Sequence, residues 1–314
     1  MTTQSIPDAR PRARGSIASS SIETGTGAGG TAPRRRSAAW LGFTPFAAYV
    51  VIFLAIPAVI AVASGFFGAD GGFTLANLKA LTDPVIIKSF QGSLLVSAVS
   101  AVVGAVIGAL VCFALLGTKA EGMLRTVIDS ASSVLAQFGG VMLAFAFIAT
   151  VGFQGIVTLY LKNTFGFDIN ADGALLYKIP GLILPYTYFS VPLMVLTFMP
   201  AMEGLKSTWG EAAATLGATR RQYWTRIAMP VLAPAFFGSV LLLFANCFSS
   251  FATAAALLSQ GGIVPLSIKQ QLTSETIVGV SNTAGVLALG MLVIMVVVMF
   301  FYSLLQRRAA RWQR

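Results

Sequence analysis

Long apolar stretches alternate with short charged ones along the whole chain. Six of them can be read, at residues 38–67, 90–116, 126–151, 176–199, 231–258 and 283–305. Each is long enough to cross a hydrocarbon core of about 30 Å as a helix, which takes about 20 residues. None shows the alternation over about 10 residues that marks a barrel strand. The pattern predicts an all-α, polytopic membrane helix bundle of about six transmembrane helices. Residues 38–306 form the membrane domain in this reading. Residues 1–37, rich in Ser, Thr, Gly, Ala, Pro and Arg, are expected to be a disordered basic tail. Residues 307–314 form a second basic tail. Ala61-Val62-Ala63 imitates a signal-peptidase site, but the run at 38–67 exceeds an h-region of about 7–15 residues, so it reads as an uncleaved anchor.

Composition agrees: 10% of residues are charged, against about 25% in soluble domains. The charges then give the bundle a direction. Sixteen Lys and Arg fall before the first stretch, after the second and fourth, and after the sixth; five Lys fall on the other side. The positive-inside rule predicts that both termini and the 201–230 loop are cytoplasmic. The outer Lys79, Lys88, Lys162, Lys178 and Lys269 are matched by Asp70, Asp83, Asp168, Asp172 and Glu275. The net charge of +10 is therefore topological. It implies contact with anionic membrane lipids and no nucleic acid, since no recognition module accompanies it.

Inside the membrane, Ser100, Gly104 and Gly108 form a small-xxx-small track in the second stretch, the pattern of close helix packing. In the fifth, Asn246, Ser249, Ser250 and Thr253 fall at i, i+3, i+4 and i+7, one helical face. Polar groups in hydrocarbon are costly unless satisfied, so this face points into protein or a wet path. It either lines a solute pathway, with Phe248 as an apolar gate, or holds helices together by hydrogen bonds. Gln137 in the third stretch is a further pathway candidate, and Asp129 is expected to pair with Arg125 one turn away. Cys112 and Cys247 lie inside spans and read as inert packing residues. The chain has no His and no G-x-x-x-x-G-K-[ST] loop. That removes His-based catalytic and metal motifs and the usual device for holding ATP phosphates. No catalytic or metal site is predicted.

The 201–230 loop carries the densest local signals. Thr208-Trp209-Gly210-Glu211 has the spacing of a capping box, opening a short Ala-rich helix over 211–216. Gly217 suits the left-handed position that ends it. Thr219-Arg220-Arg221-Gln222 is a second capping box, opening a helix with Tyr223, Trp224 and Ile227 that is expected to stop before Pro230. The order is Glu211-Ala212-Ala213, three residues, Gly217, nine residues, Ile227, one residue, then Met229-Pro230.

That spacing resembles the cytoplasmic coupling signature of permease subunits in binding-protein-dependent (type I) ABC importers. Met229 stands where the family usually has Leu. The resemblance implies a multi-pass subunit of a bacterial plasma membrane that couples to a separate ATPase through Glu211, Ala212, Ala213, Gly217, Ile227 and Pro230. It implies an ABC ATPase dimer holding the ATP and Mg, with no cofactor on this chain. It also implies a second permease subunit, identical or homologous, and an extracytoplasmic solute-binding protein. The segment 244–258 with Pro265-Leu266 resembles the subgroup that moves polyamines, ferric ion, thiamine or phosphonates. The competing class is a self-sufficient secondary transporter or channel. Such a protein carries its selectivity in intramembrane charges or broken-helix repeats, which are sparse here.

Overall fold

In the computed structural model, residues 38–68, 71–118, 122–171, 173, 175–258, 261–273 and 280–312 are described. The expected 1–37 tail lies outside them, as do Asp70, Lys119, Asp172, Glu275 and Arg314 from the charge pattern. The chain divides into two units, Met1–Val51 and Ile52–Arg314. The described part of the first is α1 (Ala38–Val50), with Pro45 inside it, and Val51.

The second unit is helical. Its first half holds α2 (Ile56–Ser64), α3 (Pro84–Leu115), α4 (Met123–Gln137), α5 (Gly140–Val151) and α6 (Ile156–Phe165). Then follow α7 (Ile183–Glu203), α8 (Ser207–Thr215), α9 (Arg220–Tyr223), α10 (Met229–Ser249), α11 (Ala252–Leu257), α12 (Val264–Thr273) and α13 (Val280–Trp312). Among the described residues there is no strand, only an isolated bridge between Phe67 and Phe73. Six segments are long and apolar enough to span a membrane: Phe43–Ser64, Pro84–Leu115, Gly140–Phe165, Ile179–Glu203, Arg220–Ser249 and Asn282–Ala309. The expected six-span, all-α layout therefore holds. The second span starts before residue 90 because Asp83 caps it, accepting from Val85 N–H at 2.7 Å with Pro84 in the first turn.

Two expected spans are corrected. The stretch 126–151 is two elements, not one. α4 is amphipathic, carrying Arg125, Asp129, Ser132, Ser133 and Gln137, and it ends before Phe138 and Gly139. Gly140 then takes φ +72°, a left-handed turn no helix continues through, and the true span runs from there to Phe165. The apolar average across this junction hid the turn. The stretch 231–258 is also broken. α10 ends at Ser249, Ser250 is extended at ψ 108°, and α11 begins afresh at Ala252.

α3 and α7 form the centre. Ala101, Ala105, Cys112 and Leu115 of α3 are buried together with Met194, Val195, Phe198, Met199 and Met202 of α7, and Leu232 and Leu243 of α10 close the cluster. The small track is what lets the two helices meet. A Cβ on Gly104 would lie 2.4 Å from Ser190 Cβ, and one on Gly108 2.5 Å from Met194 Cβ. Both contacts are within this chain, which gives the small-xxx-small pattern its packing meaning. Cys112 and Cys247 are buried and unbridged, as expected of packing residues.

Gly108→Val therefore forces α3 off α7, at a cost of about 1–3 kcal/mol or more by overpacking. Thermal unfolding of the purified protein in detergent checks this against Gly117→Ala, whose new methyl meets only Ala114 O at 3.8 Å. Equal melting of the two variants contradicts the assignment.

Candidate functional site

The loop between the fourth and fifth spans is built by local chemistry at each turn. α7 ends where Gly204 N–H and Leu205 N–H donate to Pro200 O and Met202 O at 3.1 and 3.2 Å. Lys206 is extended (φ −70°, ψ 131°) and α8 starts at Ser207. The first expected capping box does not form. Thr208 already lies inside the helix, because the chain turns two residues earlier than the Thr-x-x-Glu spacing suggests, and no side chain caps it. Glu211 accordingly sits mid-helix and is exposed.

The other end of α8 follows the expectation. Gly217 is left-handed at φ +77°. Ala218 N–H donates to Ala213 O and Gly217 N–H to Ala214 O, both at 2.9 Å. These two bonds are the Schellman pattern, which satisfies the last carbonyls of the helix. Leu216, next to the turn, is 87% exposed. The second capping box is fully formed: Gln222 N–H donates to Thr219 Oγ1 at 3.3 Å, and Thr219 N–H to Gln222 Oε1 at 2.8 Å.

The following helix does not stop before Pro230. It passes through one π-helical turn, Trp224–Ala228, where Met229 N–H reaches back to Trp224 O. Pro230 then occupies the first turn of α10. A proline has no N–H to give and its ring crowds the preceding turn; the wider π turn accommodates both, so the helix continues. The Trp224 ring packs edge-on against Phe113 of α3 at 5.2 Å and against Tyr223 at 6.0 Å, and the Tyr223 ring lies over Gly210 of α8. The loop is thus a braced helix–turn–helix. Of the expected coupling residues, Glu211, Ala212 and Gly217 are exposed, Pro230 is exposed, Ile227 is half-buried and Ala213 is buried.

One partner of this loop was not legible in the sequence. Arg125 of α4 is buried, with its guanidinium between Asp129 (3.1 Å) and Glu203 at the end of α7. The Arg125–Asp129 pair was expected from its i,i+4 spacing; Glu203, 78 positions away, was not. The interaction ties α4 to the base of α8.

The pathway candidates are less united than their spacing implied. Asn246 and Ser249 are exposed on α10, and Ser249 hydroxyl donates to Asn246 O at 3.2 Å. Ser250 lies at the helix break, where its carbonyl accepts from Tyr186 hydroxyl at 2.8 Å. Thr253 is fully buried on α11 and donates to Gly140 O at 3.1 Å. The break removes it from the face of Asn246. Phe248 is buried and stacks on Phe244 at 5.7 Å. Gln137 is exposed at the end of α4. Among the described residues no cluster of His, Cys, Asp or Glu suits a metal ion.

Residues 142–311, more than half of the chain, match the family model of binding-protein-dependent transport system inner membrane components. The sulfate transport system permease protein CysT of Salmonella typhimurium is 28% identical over 173 residues, 54% of this chain and 58% of that one. The chain thus spans under two thirds of this relative's length. The spermidine/putrescine transport system permease protein PotB of Haemophilus influenzae is 24% identical over 264 residues, 81% of this chain and 89% of that one. A crystal structure of a bacterial ABC transporter involved in alginate import matches the fold with TM-score 0.65 and 17% identity, covering 85% of this chain and 96% of that chain.

Replacing Arg125 by Gln leaves Glu203 and Asp129 unpaired. Breaking a buried pair costs about 3–5 kcal/mol. Both carboxylates stay roughly half exposed, at 47% and 44%, so the expected loss is about 1–2 kcal/mol. Asp129→Asn removes only an i,i+4 pair, about 0.3–0.5 kcal/mol. Chemical unfolding in detergent ranks the two, and an Asp129→Asn loss equal to that of Arg125→Gln refutes the Glu203 tie.

Proposed function

This chain belongs to the family of binding-protein-dependent transport system inner membrane components, and we propose that it is the permease subunit of an ATP-driven importer. In this reading it translocates a small solute delivered by an extracytoplasmic binding protein. It pairs with a second permease subunit, and each subunit docks one ATPase that holds the ATP and Mg. The observation that carries the proposal is the braced helix–turn–helix at the end of the central span. α8 offers a partner the small side chains of Ala212 and Ala214, the carboxylate of Glu211 and the apolar Leu216, all exposed. The Schellman turn and the capping box hold that surface rigid. A push on α8 then reaches α7 through the chain, α4 through Arg125–Glu203, and α10 through the continuous helix from Arg220. Asn246 and Ser249 are the polar pair left to line a route.

Gly217→Val is the sharpest test, since a β-branched residue resists φ +77°. In vesicles reconstituted with the complete transporter, the variant is expected to lose roughly tenfold or more in transport and in substrate-stimulated ATP hydrolysis. Asn246→Leu is expected to lower transport while ATPase binding stays intact. Full transport with wild-type ATPase binding in Gly217→Val ends the coupling assignment.

The charge pattern gives the direction: both termini and α8 cytoplasmic. Single cysteines at Phe165 and Leu216, 69% and 87% exposed, report it. An impermeant maleimide applied to intact cells is expected to label Phe165→Cys and spare Leu216→Cys. The reverse pattern inverts the topology.

A further inference from the structure

α13 ends its apolar run at a pair of arginines. Between Asn282 and Gln306 there is no charged residue, and Arg307 and Arg308 follow at once. Phe301, Leu304, Leu305 and Arg308 share one face of α13 at helical spacing, and Phe237, Val240 and Leu241 share one face of α10. These two ridges enclose a groove of about 530 Å³, inside the range of about 300–1,000 Å³ that holds small ligands. Beside it the two helices meet where Tyr302 packs over Gly238, with Gln306 donating to Tyr302 hydroxyl at 3.1 Å. Phe237, Phe301 and Leu304 remain 55%, 53% and 41% exposed. A second cleft of about 450 Å³, between α3, α7 and α10, has no charged residue in its lining. The α10–α13 groove, unlike it, has a guanidinium in its lining, that of Arg308.

Among the described residues that guanidinium has no carboxylate partner, and neither α10 nor α13 contains Asp or Glu. From Phe301 to Arg308 the helix rises about 10 Å, at about 1.5 Å per residue. The groove is therefore a narrow apolar slot capped by one cation at the end of an apolar span, where a bilayer changes from hydrocarbon to headgroup.

We propose that this groove is a binding site for one anionic phospholipid, with its acyl chain along the apolar walls and its phosphate on the Arg308 guanidinium. A planar guanidinium matches a phosphate with two parallel hydrogen bonds. Neither α10 nor α13 carries a carboxylate to offset Arg308, so the site favours a lipid of net negative charge over a zwitterionic one. A second copy of the chain fits less well. A two-fold interface sets the same patch against itself and would bring Arg308 onto a surface where neither helix supplies a carboxylate.

The test is native mass spectrometry of the full-length protein in its purified complex, with dioleoyl phosphatidylglycerol and dioleoyl phosphatidylcholine added in equal amounts. Wild type is expected to retain phosphatidylglycerol preferentially. Arg308→Gln is expected to cut that retention about fivefold, the worth of one basic residue at a membrane surface. Arg308→Lys keeps most of it, Arg307→Gln keeps it within about twofold, and Leu304→Trp lowers both lipids by filling the slot. Any of three results overturns the proposal: no lipid preference in wild type, unchanged retention in both Arg308→Gln and Leu304→Trp, or an efficient intersubunit disulfide from Leu304→Cys, which makes the groove a contact between copies. None of these readouts depends on ATP hydrolysis or cargo, so their failure leaves the importer reading where it stood.

Discussion

The close approach of α3 and α7 is the contact on which the rest of the structure depends. In hydrocarbon, helices gain nothing from leaving water, so they associate through van der Waals contact and the few polar bonds they can share. Gly104 and Gly108 remove the side chains that would hold α7 away, and Ser190 and Met194 come within touching distance of the α3 backbone. The candidate site residues are positioned around α7. Its C-terminal end carries Glu203 and then α8, its first turn carries Tyr186, which holds the break after α10, and its buried Met and Phe side chains form the seat for α10.

The loop below α7 has the opposite design problem. A short exposed helix of nine residues cannot be stable by itself. Its order comes from its C-terminal end: a left-handed glycine with two reverse hydrogen bonds, then a reciprocal capping box that opens two residues on. Aromatic contacts from Gly210 through Tyr223 and Trp224 to Phe113 add a lateral brace. The π turn at Trp224 removes the weak point that Pro230 would make. α8 is thus joined by short turns to α7 and to the helix that runs on into α10, and the Arg125 ion pair ties the end of α7 to α4.

Much of this was legible from residue order. Apolar runs of about 20 residues have few physical alternatives, so the six spans and the all-α class followed. Gly217 and the Thr219–Gln222 box were legible because local chemistry decides them. The failures have a common cause. Thr208 has the spacing of a cap, but where the chain leaves α7 is set by tertiary packing, and the helix starts first. Gly139 and Gly140 sit in an apolar run whose average hides them, and Ser250 has no breaker character at all. Glu203 meets Arg125 only because α3 and α7 bring distant segments together. Contacts of this kind leave no local trace.

The two helix breaks also give the polar residues of the fifth span different surroundings. An interrupted helix at membrane depth exposes backbone groups that lipid cannot satisfy, each costing several kcal/mol. Here the breaks answer each other. Ser250 carbonyl, freed at the end of α10, takes the Tyr186 hydroxyl, and Gly140 carbonyl, at the start of α5, takes the Thr253 hydroxyl. Ala252 lies against Gly140, 3.5 Å from where its Cβ would be, so the two junctions are neighbours. Thr253 hydroxyl thus ties α11 to α5, and Ser250 contributes its carbonyl to a bond with α7. Asn246 and Ser249 are not consumed in this way; apart from the hydroxyl bond to the helix's own carbonyl they face outward. One sequence pattern thus divides into two environments, and the division falls at the break, where the helical face ends.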